Sequence, residues 1–309
     1  EEANKQRERD ALSFASVWKK YSHTAQANKS QKSWDRECQL NEKWISPILG
    51  SMPMKQISPF HLEKLKKSIL DAGRAPRSVE YALAVVRQVF NYARDHDLFQ
   101  GSNPVSKVKV PRTDNRRIRF LSHEESETLL QALINRSPDL HDMALLALHC
   151  GPRAGEIFGL TLKDIDFERG LVTLRHTKNG HVRHVPMTDR VREMLKNREL
   201  IKDNELVFPA RGGGKRKEVS NAFERAVVDL GWNKDIDDPR QKVVFHSLRH
   251  TCASWLVMAG VPLYTVKEYL GHRQISQTER YAHLAPDSLQ QATAALNGIG
   301  KKKDQGKVV

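Results

Sequence analysis

Val244-Phe245-His246-Ser247-Leu248-Arg249-His250 sets a histidine and an arginine three residues apart, a spacing that places two side chains on one helical face. Downstream stands Leu270-Gly271-His272, and nine residues after that histidine comes Tyr281. Upstream lies Gly151-Pro152-Arg153-Ala154-Gly155-Glu156-Ile157, with Arg153 at the start of a predicted helix. Between these regions Lys178 sits in Thr177-Lys178-Asn179-Gly180, where Asn-Gly supplies the positive-φ residues of a tight hairpin turn.

These are two arginines, two histidines, one lysine and one tyrosine, with neither an acidic pair nor a metal-ligand cluster. The set suits a phosphodiester. A guanidinium presents a rigid fork to two phosphate oxygens and stays charged, so two of them can neutralise charge growing on a pentavalent transition state. Imidazoles move protons near neutral pH. A tyrosine hydroxyl can attack phosphorus and keep the bond energy in an ester. Fixed cations of this kind take the place of a divalent ion, so neither metal nor cofactor is expected.

The bulk numbers agree. In 309 residues Lys and Arg total 51 against 37 acids, a formal net charge of +14. Residues 1–116 carry 21 basic and 13 acidic side chains, and the remainder 30 and 24. Both parts are therefore basic, as expected if both touch one polyanion. No apolar run approaches a bilayer span, so no membrane segment is predicted. Cys38, Cys150 and Cys252 lack paired spacing, which argues for a reducing compartment and for small buried apolar residues.

Apolar residues recur at helical spacing in Phe14, Val17, Trp18 and Tyr21, in Leu62, Leu65, Ile69 and Leu70, and in Val79, Leu83, Val86, Phe90 and Ala93. Pro47, Gly50, Pro53, Gly73 and Pro76 interrupt them. The pattern predicts a basic helical domain over 1–106, of four or so helices. A basic linker follows over 107–119, within a stretch from Gly101 to Arg119 holding Pro104 and Pro111. A second domain spans 120–297, ahead of a polar tail over 298–309, predicted to be disordered. In it, Ser122 with Glu125 marks a capping box opening a helix to about Asn135. Another helix fits 140–149, and short strands fit Val172–Leu174 and Val182–Val185. The fold class is mainly α with a small antiparallel sheet (α+β).

In this order and spacing, Arg153, Lys178, His246-x-x-Arg249, Gly271-His272 and Tyr281 resemble the catalytic set of the tyrosine recombinase, or phage integrase, family over about 120–290. The helical region before it resembles that family's core-binding domain. The resemblance implies a site-specific DNA recombinase that cleaves and rejoins strands through a 3′-phosphotyrosine at Tyr281 and a Holliday junction, without metal or ATP. It implies that Arg153 and Arg249 grip the phosphate, Lys178 protonates the departing 5′ oxygen and His246 assists proton transfer at Tyr281. His272 would hydrogen-bond the phosphate, and Glu156 would orient the site. Pro152 departs from the family, whose members usually carry a larger apolar residue there.

The implied partner is double-stranded DNA with an inverted-repeat core site. It would be met by a homo-oligomer, a tetramer when recombining, with accessory DNA-bending proteins, in the cytoplasm of a bacterial host. The segment 286–297, with Leu289, Ala292 and Leu296 on one face, would pack on a neighbouring protomer. Lys64, Lys66, Lys67, Arg74, Arg77, Lys107, Lys109, Arg112, Arg116 and Arg117 are the side chains expected on DNA, with affinity falling as salt rises. A type IB topoisomerase-like relaxing enzyme and a catalytically silent DNA-binding relative share these features and stay open on sequence grounds. His246 and His250, four apart, lack the glutamate of a His-Glu-x-x-His zinc helix. Gly212-Gly213-Gly214-Lys215 lacks the context of a phosphate loop. The recombinase reading asks that, with nucleic acid bound, the phenol lie near a pocket shared by both guanidiniums rather than buried in apolar core.

Overall fold

The computed structural model describes residues 12–110, 118–175, 182–198, 205–286, 293 and 296–297. The chain divides into two compact units, Glu1–Asp114 and Asn115–Val309.

The first unit is helical. Helix α1 (Phe14–Asn28) starts at Ser13, whose hydroxyl accepts the Ser16 N–H, and buries Phe14, Val17, Tyr21 and Ala25, a stripe at helical period. Helix α2 (Gln31–Leu40) runs through a π turn at Asn41–Ile45 into the short α3 (Ser46–Leu49). Helix α4 (Pro59–Asp71) carries proline at its first position, where no N–H is missed. Helix α5 (Pro76–Asp95) buries Val79, Leu83, Val86, Phe90 and Ala93 among others. The basic stretch begins inside this core. Val105 is 1% and Val108 7% exposed, and Asn103 hydrogen-bonds to Asn91 and to the Arg87 carbonyl. Chain expected to be linker at Lys107 to Val110 is thus anchored by valines spaced among its lysines. Cys38 also departs from expectation, being half-buried, whereas Cys150 and Cys252 are buried.

The second unit opens on α6 (His123–Ile134), where Ser122 and Glu125 form a reciprocal capping box. Helix α7 (Pro138–Cys150) ends at Gly151, whose φ of +62° closes it in the left-handed conformation. Four residues, Ala154–Ile157, form α8. The sheet has three antiparallel strands in the order β1 (Ile165–Asp166), β2 (Leu171–Leu174) and β3 (Arg183–Pro186). Leu174 pairs with Arg183 and Val172 with Val185. Strand β1 was not anticipated, because two residues carry no period. The turn holding Lys178 lies outside the described residues. After the sheet come α9 (Asp189–Lys196), α10 (Ala222–Asp229), α11 (Phe245–Met258), α12 (Leu263–Leu270) and the one-turn α13 (Ser276–Glu279).

Helix α11 packs on α7 and buries ten of its fourteen residues, so it is a core helix without a broad solvent face. The segment leading into α6 is fixed to it: Leu121 N–H donates to Thr251 Oγ1 and Trp255 Nε1–H donates to the Leu121 carbonyl, each at 3.0 Å. Among the described residues no helix is long and apolar enough to cross a membrane.

Candidate active site

Arg249 lies deep in α11, 3% exposed. Its guanidinium donates to the Gly151 carbonyl at the end of α7 and, at 2.6 Å, to the Leu270 carbonyl at the end of α12. Two helix C-termini therefore direct their unpaired carbonyls, the negative ends of their dipoles, at one buried cation. Burial, then Arg153 and Arg183, lower its pKa to about 9, and it is cationic at neutral pH. The close approach needs Gly151: a Cβ there would lie 2.5 Å from Leu270 Cδ2.

Arg153 is the N-cap of α8. Glu156, three residues on, accepts the Arg153 backbone N–H at 2.9 Å and its Nη1 at 3.0 Å. The same carboxylate takes a two-pronged grip from Arg183 on β3, Nη1 at 3.1 Å and Nη2 at 2.8 Å. Burial alone would raise the Glu156 pKa, but the hydrogen bonds and charge of Arg183, with Arg153 and Arg249, hold it below the usual value. Arg183 itself lies against Gly271, where a Cβ would meet its Cδ at 2.8 Å and its Nη1 at 2.9 Å.

Gly271 ends α12 with φ +66° and turns the chain into His272, whose Nδ1 is 2.8 Å from Thr278 Oγ1. Burial first, then Arg249, Arg153, Arg280 and Arg183, push the His272 pKa down to about 3, so its ring is neutral at physiological pH. Tyr281 caps the turn after α13, its N–H donating to the Thr278 carbonyl at 2.9 Å. The ring is 5% exposed and packs with Cys252, Ala253, Val257, Val266 and Leu270. Its hydroxyl hydrogen-bonds His250 Nδ1, and the Arg280 guanidinium stands 5.5 Å over the ring. Burial raises the phenol pKa against the opposing fields of Arg280 and Arg249, so a neutral phenol is the resting species. The ring is therefore in apolar packing, with its hydroxyl on a polar partner and within the field of Arg249.

The phage integrase family matches residues 119–288, and that family's N-terminal SAM-like domain matches residues 13–70. The chain belongs to the phage integrase family. It is a site-specific tyrosine recombinase. The integrase of Escherichia phage 186 is 28% identical over 251 residues, covering 80% of this chain and 69% of that protein. A tyrosine recombinase XerD from Halalkalibacterium halodurans is 32% identical over 225 residues, covering 69% of this chain and 73% of that one. Among solved structures, the Tn1549 transposon integrase in complex with transposon right end DNA superposes with TM-score 0.75 at 19% identity, over 93% of this chain and 99% of that one. A lambda integrase dimer bound to a COC′ core site gives TM-score 0.74 at 18% identity, over 99% of this chain and 83% of that one.

The recombinase's predicted residues fall into four groups. Arg153, Glu156, Arg249, His272 and Tyr281 belong to one network of hydrogen bonds and electrostatic influence. His246 does not share the environment of Arg249, despite the three-residue spacing: it is exposed at the start of α11 while Arg249 is buried. The imidazole found on the tyrosine hydroxyl is that of His250, with His246 edge-on against it at 4.8 Å between ring centres. Lys178, Arg112, Arg116 and Arg117, and most of 286–297, lie outside the described residues. In the helical unit, Lys64, Lys67, Arg74, Lys107 and Lys109 are exposed. Lys66 is bound to Glu63 and to the Lys109 carbonyl, and Arg77 pairs with Glu80 and stacks over Tyr81.

Sequence reasoning missed two site residues, Arg183 and His250. Arg183 had a signal. It is two residues from Val185, which is fully buried, and alternate strand residues share a face, so an inward arginine was there to be seen. His250 follows Arg249 directly, and only the largely buried character of α11 gives it away.

Among the described residues no group of three or more His, Cys, Asp or Glu could hold a metal ion. The Cys150 and Cys252 thiols are pushed up to about 12 by burial, which leaves them unreactive.

Proposed function

We propose that Tyr281 attacks the scissile phosphate of a duplex DNA core site. The phenolic oxygen bonds to phosphorus, the bond from phosphorus to the 5′ oxygen breaks, and a proton reaches that oxygen to give a free 5′ hydroxyl and a 3′-phosphotyrosine. Attack by the 5′ hydroxyl of a partner strand reverses the chemistry and produces a Holliday junction. Arg153 and Arg249 grip the non-bridging oxygens, neutral His272 hydrogen-bonds the phosphate, and Lys178 supplies the proton to the leaving oxygen.

One observation carries this reading. Arg249 and His250 are consecutive on α11, and the first is held by two helix-end carbonyls while the second holds the Tyr281 hydroxyl. Phosphate grip and nucleophile are thereby tied to adjacent residues of one rigid helix, as transition-state stabilisation by fixed groups requires.

The partner is a core site of inverted repeats, met by a tetramer, with the helical unit and the basic stretch after it adding phosphate contacts through Lys64, Lys67, Arg74, Arg77, Lys107, Lys109, Arg112, Arg116 and Arg117. Accessory DNA-bending proteins and a cytoplasmic, DNA-associated setting in a bacterial host complete the proposal. Support comes from the lambda integrase dimer on its core site, from a lambda integrase tetramer bound to a Holliday junction at TM-score 0.68, and from the exposed lysines. Selecting bound sequences from random duplexes, then incubating nicked versions with protein and chelator, tests it. Covalent cleavage unaffected by chelator is the expected result, and no cleavage of any selected duplex would contradict the reading.

A further inference from the structure

Glu156 poses an electrostatic problem. Its carboxylate orients Arg153 through a backbone and a side-chain hydrogen bond, and it is 3% exposed, so water screens it weakly. A buried anion that close to Arg153 would cancel the charge that Arg153 must present to a phosphate. The fold places a second guanidinium on the same carboxylate. Arg183 reaches both oxygens of Glu156, its side chain is 10% exposed, and its Nε is a buried donor with no acceptor among the described residues.

That cost is tolerated for a side chain fixed on three sides. Strand β3 sets its root, Glu156 takes its fork, and Gly271 leaves room for its stem, since a Cβ would stand 2.8 Å from Cδ. Buried polar groups left unsatisfied in native structures call for an explanation in function.

We propose that Arg183 is the counter-cation of Glu156: by neutralising that carboxylate it lets Glu156 orient Arg153 without quenching it. Arg153, Arg183 and Arg249 against Glu156 leave two net positive charges around a neutral His272. A phosphodiester carries one negative charge and its pentavalent transition state two, so the cluster complements the transition state better than the ground state. Arg183 is a positioning residue that acts through Glu156 and Arg153 rather than on DNA. The inference rests on the recombinase reading above.

The test is a charge-restoring pair of variants, assayed as covalent adduct on a selected, nicked duplex. Arg183→Met leaves Glu156 to pair wholly with Arg153, and adduct formation falls by on the order of 10²-fold with duplex binding retained. Adding Glu156→Gln returns the net charge to two, and the double variant recovers roughly tenfold over Arg183→Met. A merely structural arginine predicts the opposite, a double variant no better than the single, and that result overturns the proposal. Arg183→Lys keeps the charge without the fork and loses less than Arg183→Met; if the methionine variant fails to fold, Arg183→Gln takes its place with and without Glu156→Gln, and the same recovery is required.

A DNA-free measurement separates the two readings. The Glu156 side-chain carbon, followed by NMR as pH is lowered, titrates higher in Arg183→Met than in wild type, and higher in Arg183→Met than in Arg183→Lys. Equal titration in all three overturns the counter-cation. Wild-type protein without adduct on any selected duplex, but with the shifted Glu156 titration, overturns the recombinase reading instead.

Discussion

His250 Nδ1 and the Tyr281 hydroxyl are hydrogen-bonded across 31 positions of sequence, joining the central helix α11 to the turn after α13. Both partners are buried, at 7% and 5% exposure. The phenol is neutral at rest, so its proton must leave as the oxygen attacks, and an imidazole already in contact is the nearest acceptor.

Replacing His250 with Phe removes that acceptor and keeps a ring in the same space. Adduct formation should fall by on the order of 10²-fold while gel-shift affinity for the duplex holds. A cleavage rate equal to wild type would take the imidazole out of the proton's path.

Arg249→Lys gives up the fork that meets the Gly151 and Leu270 carbonyls. An ammonium presents a point charge and cannot span two carbonyls and a phosphate together. Cleavage should drop 10²- to 10³-fold, roughly the effect of losing a transition-state donor, with thermal stability lowered as well. Near-normal single-turnover rates would remove Arg249 from the phosphate.

His272 makes folding pH-dependent. Its folded pKa is about 3 against an ordinary histidine value of 6.5, so between those values the unfolded chain binds the extra proton. The contribution of the neutral ring is therefore full above 6.5 and is lost as pH falls toward 3. Without DNA, the melting temperature of wild type should fall between about pH 7.5 and about pH 5 more steeply than that of His272→Gln. Parallel curves for the two proteins would refute the assignment.

Gly151→Ala should destabilise by about 2–4 kcal/mol, from left-handed backbone strain plus overpacking against Leu270. Chemical denaturation measures it. A change inside about 0.5 kcal/mol would mean that α12 yields to the methyl without cost.

The helical unit, the capping box at Ser122 and the Arg153–Glu156 pair were all legible in sequence, because each rests on local spacing. Residues whose role comes from contact across long separations were less so. Arg183 meets Glu156 from 27 positions away, and beside a basic hairpin an arginine reads as solvated. His246 and His250 could not be told apart by spacing, since α11 is buried on most sides and offers no polar face to set the register. Val105 and Val108 were hidden among lysines, which made chain that is packed in the core look like linker. Strand β1 is two residues long, below what alternation can detect.

The most direct test of the account is the location of the covalent phosphate. On a nicked duplex carrying the selected core site, wild-type protein should form an adduct that survives denaturation, and peptide mapping should place the nucleotide on Tyr281. Tyr281→Phe should bind the same duplex and form none. An adduct made by the Phe variant, or a nucleotide mapped to any other residue, would contradict the account.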